Sequence, residues 1–243
     1  MFRFGLRNLR RLQDVPLLEI KPITLLVGRN SSGKSTFLRS LPLIQQSLMT
    51  RIRSPILWYG QSVDFGSFEG AVYMNDTNLP ICFKFGLDNV QLDDPYRPSY
   101  RSDAIPIGDV NVEISIVADH DSTRISEMNI VICDTGDRIN LEISDTDSIS
   151  QVTVNDRSYT GAFSEYQLAI TSGSIFPDII RRRRDAPSPY FLLDFLEDAF
   201  IAEVENIMPS RIAGKTKISL AASLMKQWPL TASSVAESMR HLG

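Results

Sequence analysis

The chain reads as an α/β protein in three parts: a strand, glycine loop and helix near the N-terminus, a large antiparallel β lobe after them, and helices at the C-terminal end. Three observations carry this reading. The apolar run Ile23 to Val27 feeds Gly28-Arg-Asn-Ser-Ser-Gly-Lys-Ser-Thr36 and then a helical pattern. Short alternating apolar runs separated by turn residues fill Pro55 to about Ile170, with no helical stretch between them to make parallel crossovers. Helical periodicity returns only after Tyr190. The expected organisation is a phosphate-loop core in residues 1–53, an antiparallel β lobe in 54–175, and a basic linker with a helical segment in 176–243.

The length of 243 residues suffices for one large domain or two small ones with a substantial core. Apolar residues at 43% and charged residues at 22% place the chain among folded proteins. No apolar run approaches the length of a membrane span, and Met1-Phe-Arg-Phe-Gly-Leu-Arg lacks the apolar core of a secretion signal, so a cytoplasmic location and no membrane contact are expected. Cys82 and Cys133 each lie in an apolar run without a cysteine or histidine neighbour, which predicts core positions and neither a disulfide framework nor a zinc site. His120 and His241 are isolated, which argues against a histidine-based hydrolytic or metal-nuclease centre in this chain.

Taken in order, Phe2 to Leu12 alternates as a first strand and turn, and Pro16 precedes a short second strand, Leu17 to Ile20. Ile23 to Val27 is expected to be a buried strand. Gly28, Gly33, Lys34 and Ser35 then satisfy the spacing G-x-x-x-x-G-K-[ST]. In that pattern backbone N–H groups wrap phosphates, the lysine reaches the terminal ones, and the hydroxyl serves a magnesium ion. Phe37, Leu41, Ile44 and Leu48 follow at the period of one helix face, so a helix N-terminus adds its partial positive charge to the loop. Pro42 removes a backbone donor from that helix and is expected to kink it near Leu38 to Leu41.

In the lobe, Ile56 to Tyr59, Ile81 to Phe85, Val110 to Val117, Asn129 to Cys133, Ile139 to Ile143, Gln151 to Val154 and Tyr166 to Ile170 read as strands. Asn75-Asp-Thr-Asn, Asp134-Thr-Gly-Asp and Asn155-Asp supply the turns, and Asp88 to Ile107, rich in proline and aspartate, reads as a mobile surface loop. Charge divides along the chain. Residues 1–53 carry ten Lys/Arg against two Asp/Glu, residues 54–160 carry six against eighteen, and residues 161–243 are balanced. The basic end suits phosphates and would also suit a nucleic-acid backbone, which the acidic middle would repel.

Leu6-Arg-Asn-Leu-Arg-Arg-Leu12 followed by Leu18-Glu-Ile-Lys-Pro-Ile-Thr-Leu-Leu-Val-Gly-Arg-Asn-Ser-Ser-Gly-Lys-Ser-Thr-Phe-Leu38 resembles the opening of RecF/SMC/OLD-type ABC-class ATPases. The closest likeness is to a bacterial subgroup with Asn-Ser-Ser-Gly-Lys-Ser, a helix ending near Gln45-Gln-Ser-Leu48, and a later Val63-Asp-Phe-Gly-Ser-Phe-Glu69. Members of it often occur in phage-defence loci, including retron-associated and Septu-like systems. The likeness covers about residues 2–72. It implies a P-loop ABC-class N-terminal lobe that binds ATP and Mg²⁺, with Asn30, Ser31, Ser32, Gly33, Lys34, Ser35 and Thr36 on the phosphates, Lys34 as the catalytic residue and Ser35 on the metal. It also assigns Arg10 to the nucleotide's edge, although a surface arginine on a turn reads equally well there. Gln61 is the nearest candidate for a glutamine that touches Mg²⁺ and the attacking water, or else a polar loop residue.

Completing such a site requires an acidic strand end and a signature helix. Ile130-Val-Ile-Cys-Asp134 reads better as one arm of a hairpin, and Tyr190-Phe-Leu-Leu-Asp194 runs into an amphipathic helix through Leu196, Phe200, Val204 and Ile207. Short helices are expected at Lys217 to Gln227 and Ala232 to His241, and no serine-glycine-rich signature is visible. Arg181 to Arg184 reads as a solvated linker or an arginine cluster paired with acidic neighbours, with a nucleic-acid or effector contact as the other possibility. The resemblance therefore implies an ATPase that continues beyond Gly243, with negligible turnover by residues 1–243 alone. It further implies nucleotide-driven homo-oligomerisation and control of a partner such as an effector nuclease subunit. A nucleotide-binding scaffold without turnover, and a small-molecule phosphotransferase, are the alternatives from other classes.

Overall fold

A computed structural model describes residues 3–50, 52–92, 105–120, 122–158, 167–170, 173–177, 179–183 and 186–188. Strands β1 (Arg3–Leu9) and β2 (Leu12–Glu19) form an antiparallel hairpin, and helix α1 (Lys34–Met49) follows the glycine loop. A single helical turn, α2 (Phe68–Ala71), precedes β3 (Ile81–Leu92), β4 (Ile105–Asp119), β5 (Ser122–Ile132), β6 (Arg138–Ile143), β7 (Ile149–Val154) and β8 (Arg157–Ser158). These eight strands make one antiparallel sheet in the order β2-β1-β3-β4-β5-β6-β7-β8. A second antiparallel sheet of β9 (Gln167–Ile170), β10 (Ile179–Arg183) and β11 (Ala186–Ser188) meets the first through a bridge between Ser148 and Ala169.

The large sheet has one apolar and one polar face, as period-two alternation requires. Phe4, Leu6, Phe83, Phe85, Val112, Ile114, Ile130, Leu141 and Val152 are buried on one side. On the other, Arg7 pairs with Glu113 at 2.8 Å and Lys84 with Asp14 at 2.6 Å. Register shifts in the β3–β4 and β4–β5 pairs reset the alternation. The register shifts after Leu87, where Asn89 takes φ 51°, so that the buried residues change from Phe83, Phe85 and Leu87 to Val90. It shifts again between Ser115 and Ile116, which puts both Ile125 and Met128 of β5 inside. The turn between β7 and β8 is Asn155-Asp156 with φ 48° and 69°, the doubly left-handed geometry that matches strand twist.

Helix α1 lies on the apolar face through Phe37, Leu41, Leu43 and Ile44, with Leu48 partly buried against the same core. The rings of Phe37 and Phe4 are 5.6 Å apart, and Phe85 stacks edge-on against Phe176 at 4.7 Å. The core therefore joins the N-terminal hairpin, the helix and the β lobe. The sheet crosses the expected boundary at residue 53 because β1 pairs directly with β3.

Several expectations are corrected. Ile23 to Val27 forms no strand, and Ile23, Leu25 and Val27 are 91%, 81% and 80% exposed. A strand needs a neighbour for its backbone groups, β1 already has partners on both sides, and no other described strand pairs with residues 23–27. Only Leu26 packs against the core. Strand β2 begins at Leu12 and passes through Pro16, which an edge strand tolerates because one side needs no ladder donor. Ile56 to Tyr59 is a loop with a single bridge from Tyr59 to Asp64, held by burial of Ile56 and Trp58.

Residues 88–92 and 105–107 extend β3 and β4 where a loop was expected, since their mutual pairing prolongs the hairpin; 93–104 lie outside the described residues. Cys82 is buried, but Cys133 is exposed because it stands just past the end of β5. Helix α1 runs unbroken from Lys34 to Met49 through Pro42. Arg181 to Arg183 belong to β10, not to a linker, because that segment pairs with β9 and β11. Arg184, Asp194 and the helices expected after Tyr190 lie outside the described residues.

Candidate functional site

The glycine loop closes directly onto α1. Gly33 is the residue before the helix, at φ 94° and ψ 0°, and no side chain caps the helix N-terminus. The first-turn N–H groups are thus not taken by a cap, and no acidic residue stands in that turn to repel an anion. Two features explain Gly33. Its φ lies in the left-handed region, and a Cβ there would collide with Leu12 Cδ2 at the start of β2. The loop is therefore seated on the β1–β2 hairpin. Ser31 also takes a positive φ of 63°, and the Ser32 amide donates to the Arg29 carbonyl at 3.3 Å.

The Lys34 ammonium folds over the loop and donates to the Gly28 carbonyl at 2.7 Å and the Arg29 carbonyl at 2.6 Å. These are exposed interactions with neutral acceptors, which a phosphate oxygen would outcompete as a charge-assisted partner. Ser35 follows in the first helical turn. Around the loop lies a cavity of about 890 Å³ lined by Asn30, Ser31, Gly33, Lys34, Ser35 and Thr36, by Arg10 and Arg11 at the hairpin turn, and by a segment from Gly70 to Asn75. That volume is within the roughly 300–1,000 Å³ of small-molecule and cofactor sites.

The structure thus brings Arg10, Asn30, Ser31, Gly33, Lys34, Ser35 and Thr36 around one space. Ser32 belongs to the loop but does not line the cavity; a Cβ on Gly28 would meet its hydroxyl at 3.2 Å. Arg10 sits at the turn with φ 51°, donates its backbone N–H to the Ala71 carbonyl at 2.6 Å, and rests its guanidinium 4.6 Å from the centre of the Phe65 ring. Arg39 of α1 approaches the same ring at 5.3 Å and donates to the Asp64 carbonyl at 2.7 Å. Buried Phe65 is therefore a shared platform for two cations near the loop.

Gln61 is exposed in the turn between Tyr59 and Asp64 and does not line the cavity. The glutamine that organises this region is Gln46 of α1. Its amide nitrogen donates to the Leu57 carbonyl at 2.7 Å and the Val63 carbonyl at 3.1 Å, and its oxygen accepts from the Val63 N–H at 3.1 Å. Asp134 is exposed in the β5–β6 turn, on a hairpin as its turn chemistry predicts, and is not among the cavity residues. Sequence reasoning missed Tyr73, Met74 and Asn75, because the bridge of Val72 to Leu9 and the Arg10 amide on the Ala71 carbonyl, both distant in sequence, carry them to the hairpin tip.

Among the described residues no group of three metal-ligating side chains occurs. Mg²⁺ characteristically takes one or two protein oxygens and completes its octahedron with phosphate and water, a role the Ser35 hydroxyl fits.

The basic N-terminal part is less free than its count suggests. Arg3 pairs with Asp88 at 3.2 Å, Arg7 with Glu113, and Lys21 with Glu19 at 3.7 Å. Arg7 also donates to Cys82 Sγ at 3.2 Å, a contact that raises the guanidinium pKa further. Burial pushes the Cys82 thiol up, and hydrogen bonds with Ser115 and Arg7 oppose it only in part. Among the described residues no helix is long and apolar enough to cross a membrane. No family model matches the chain, and no curated protein matches it.

Proposed function

We propose that this chain binds Mg-ATP at the Asn30–Thr36 loop and belongs to an ABC/SMC-type ATPase whose nucleotide-dependent association controls a partner effector or a nucleic-acid activity, in a setting such as anti-phage defence. The observation that carries the binding step is the conjunction of an uncapped helix start, a glycine-shaped loop, the Lys34 ammonium and the Ser35 hydroxyl around a cavity of nucleotide size. Lys34 would leave the Gly28 and Arg29 carbonyls to neutralise the terminal phosphates. The amides of the loop and first helical turn would hold the phosphate oxygens. ATP with its magnesium would supply the negative charge that lets two basic loop faces approach.

A binding scaffold without turnover is the second reading, favoured by the position of Asp134 on a hairpin turn away from the cavity. Calorimetry of the full chain with Mg-ATP tests the central claim: Lys34→Ala should weaken binding at least a hundredfold without lowering thermal stability, since its ammonium bonds only exposed loop carbonyls. An unchanged affinity would refute the phosphate assignment.

A further inference from the structure

The phosphate loop accounts for one end of the cavity, and Arg10 and Arg11 line it at the hairpin turn. The remaining wall is Tyr73, Met74 and Asn75, on a segment pinned beside the hairpin turn by the Leu9–Val72 bridge and by the Arg10 amide on the Ala71 carbonyl. Two further bonds fix it from within: Asn75 Nδ2 donates to the Glu69 carbonyl at 3.0 Å, and the Asn75 N–H to the Val72 carbonyl at 3.2 Å. The wall is therefore built before any ligand arrives.

Its conformation is unusual. Met74 has φ 53° and ψ 21°, and Asn75 has φ 58°, in the region where glycine and asparagine are at home and methionine is not. Met74 is also 79% exposed although it is a large apolar residue. A left-handed, largely exposed methionine in the lining of a cavity is a disfavoured arrangement of backbone and of side chain at once, and such outliers gather at ligand clamps. Beside it stands the half-buried ring of Tyr73. A flat aromatic heterocycle suits this surface, because an aromatic ring stacks on it and a polarisable sulfur packs against its edge or face.

We infer that Tyr73 and Met74 form the base-recognition wall of the nucleotide site, taking the purine of ATP while the loop takes its phosphates. This rests on the reading of Asn30–Thr36 as the phosphate cradle, and it adds a prediction that cradle alone does not make: affinity should depend on the base. Inorganic tripolyphosphate carries the same phosphates without a base, so it separates the two.

The test is calorimetry of the full chain with Mg-ATP and with Mg-tripolyphosphate, for the parent protein, Tyr73→Ala, Met74→Gly and Lys34→Ala. Met74→Gly keeps the left-handed backbone and removes only the side chain, so it guards against a folding artefact. Expected are an ATP affinity at least about tenfold above that of tripolyphosphate, in line with the known strength of base stacking, a loss of most of that margin in Tyr73→Ala and Met74→Gly, and tripolyphosphate binding within twofold of the parent in both. Equal affinity for the two ligands in the parent protein, or equal weakening of both by the wall variants, overturns the base wall and leaves the cradle standing. Binding of neither ligand, or of both undiminished by Lys34→Ala, overturns the cradle and with it the wall.

Discussion

The β sheet and the segment from Lys21 to Thr36 are built on opposite terms. Every strand from β1 to β8 has a ladder partner, and the apolar face is filled from both ends by α1 and by Phe176. The loop segment has its chemistry in place, yet the apolar run that leads into it touches the core only through Leu26. The sheet supplies rigidity, and the loop carries the proposed phosphate site. They meet at Gly33 on Leu12, and the loop inherits its position from the sheet there. Stability and nucleotide affinity should therefore separate under mutation.

The sharpest break lies in the sheet. Phe83→Ala empties a fully buried position in the central strand β3, which should cost about 3–5 kcal/mol by loss of burial and creation of a cavity. Urea unfolding would read it as a lower midpoint, and a loss under 1 kcal/mol would mean that the sheet core is looser than its burial indicates. A smaller effect is expected where α1 grips the 57–63 loop. Gln46→Met keeps the volume but leaves the Leu57 carbonyl and the Val63 N–H without their partner, while the Val63 carbonyl keeps the Gly60 N–H at 3.1 Å, at a cost of about 1–3 kcal/mol. Proteolysis near Tyr59 should quicken in that variant, and an unchanged cleavage rate would detach the loop from the helix. The smallest effect belongs to the exposed run: Ile23→Thr with Leu25→Thr should change stability by less than about 0.5 kcal/mol, as at other solvated positions. A loss of several kcal/mol in the same urea experiment would show that these side chains are covered in the protein in solution.

The antiparallel lobe was legible because its strands alternate cleanly and its turns carry Asn, Asp and Gly at the positions that need left-handed backbone, as at Asn155-Asp156 and Gly136. The extent of those strands was not. Asp88 to Leu92 looks like loop in composition, and only pairing with β4 across a bulge makes it strand. Ile23 to Val27 shows the reverse error: five apolar and β-branched residues have the propensity for a strand, but propensity supplies no partner. The glycine loop and Lys34 could be picked out from spacing, since the motif is contiguous in sequence. The other wall of the cavity could not, because Tyr73 and Met74 reach it through the pairing of Val72 with Leu9, 63 positions away in sequence. Gln46 escaped notice for a related reason, since a helical glutamine declares no partner until the chain after it folds back.

The uncovered run has a consequence for how the chain survives its own synthesis. Ile23 to Val27 is short, apolar and uncharged, the composition that nucleates edge-to-edge stacking between copies. Its flanks counter this. Lys21 and Pro22 stand before it and Gly28 and Arg29 after it, so any stack begun on these five residues meets charge at both ends, a missing amide at one and a weak strand former at the other. Thr24 adds a local restraint by accepting from the Lys21 N–H at 3.0 Å, which curls the entrance to the run away from a flat strand. Lys21, Pro22 and Arg29 thus act as gatekeepers, and their replacement by neutral strand formers should lower soluble yield before it changes anything measured on the folded protein.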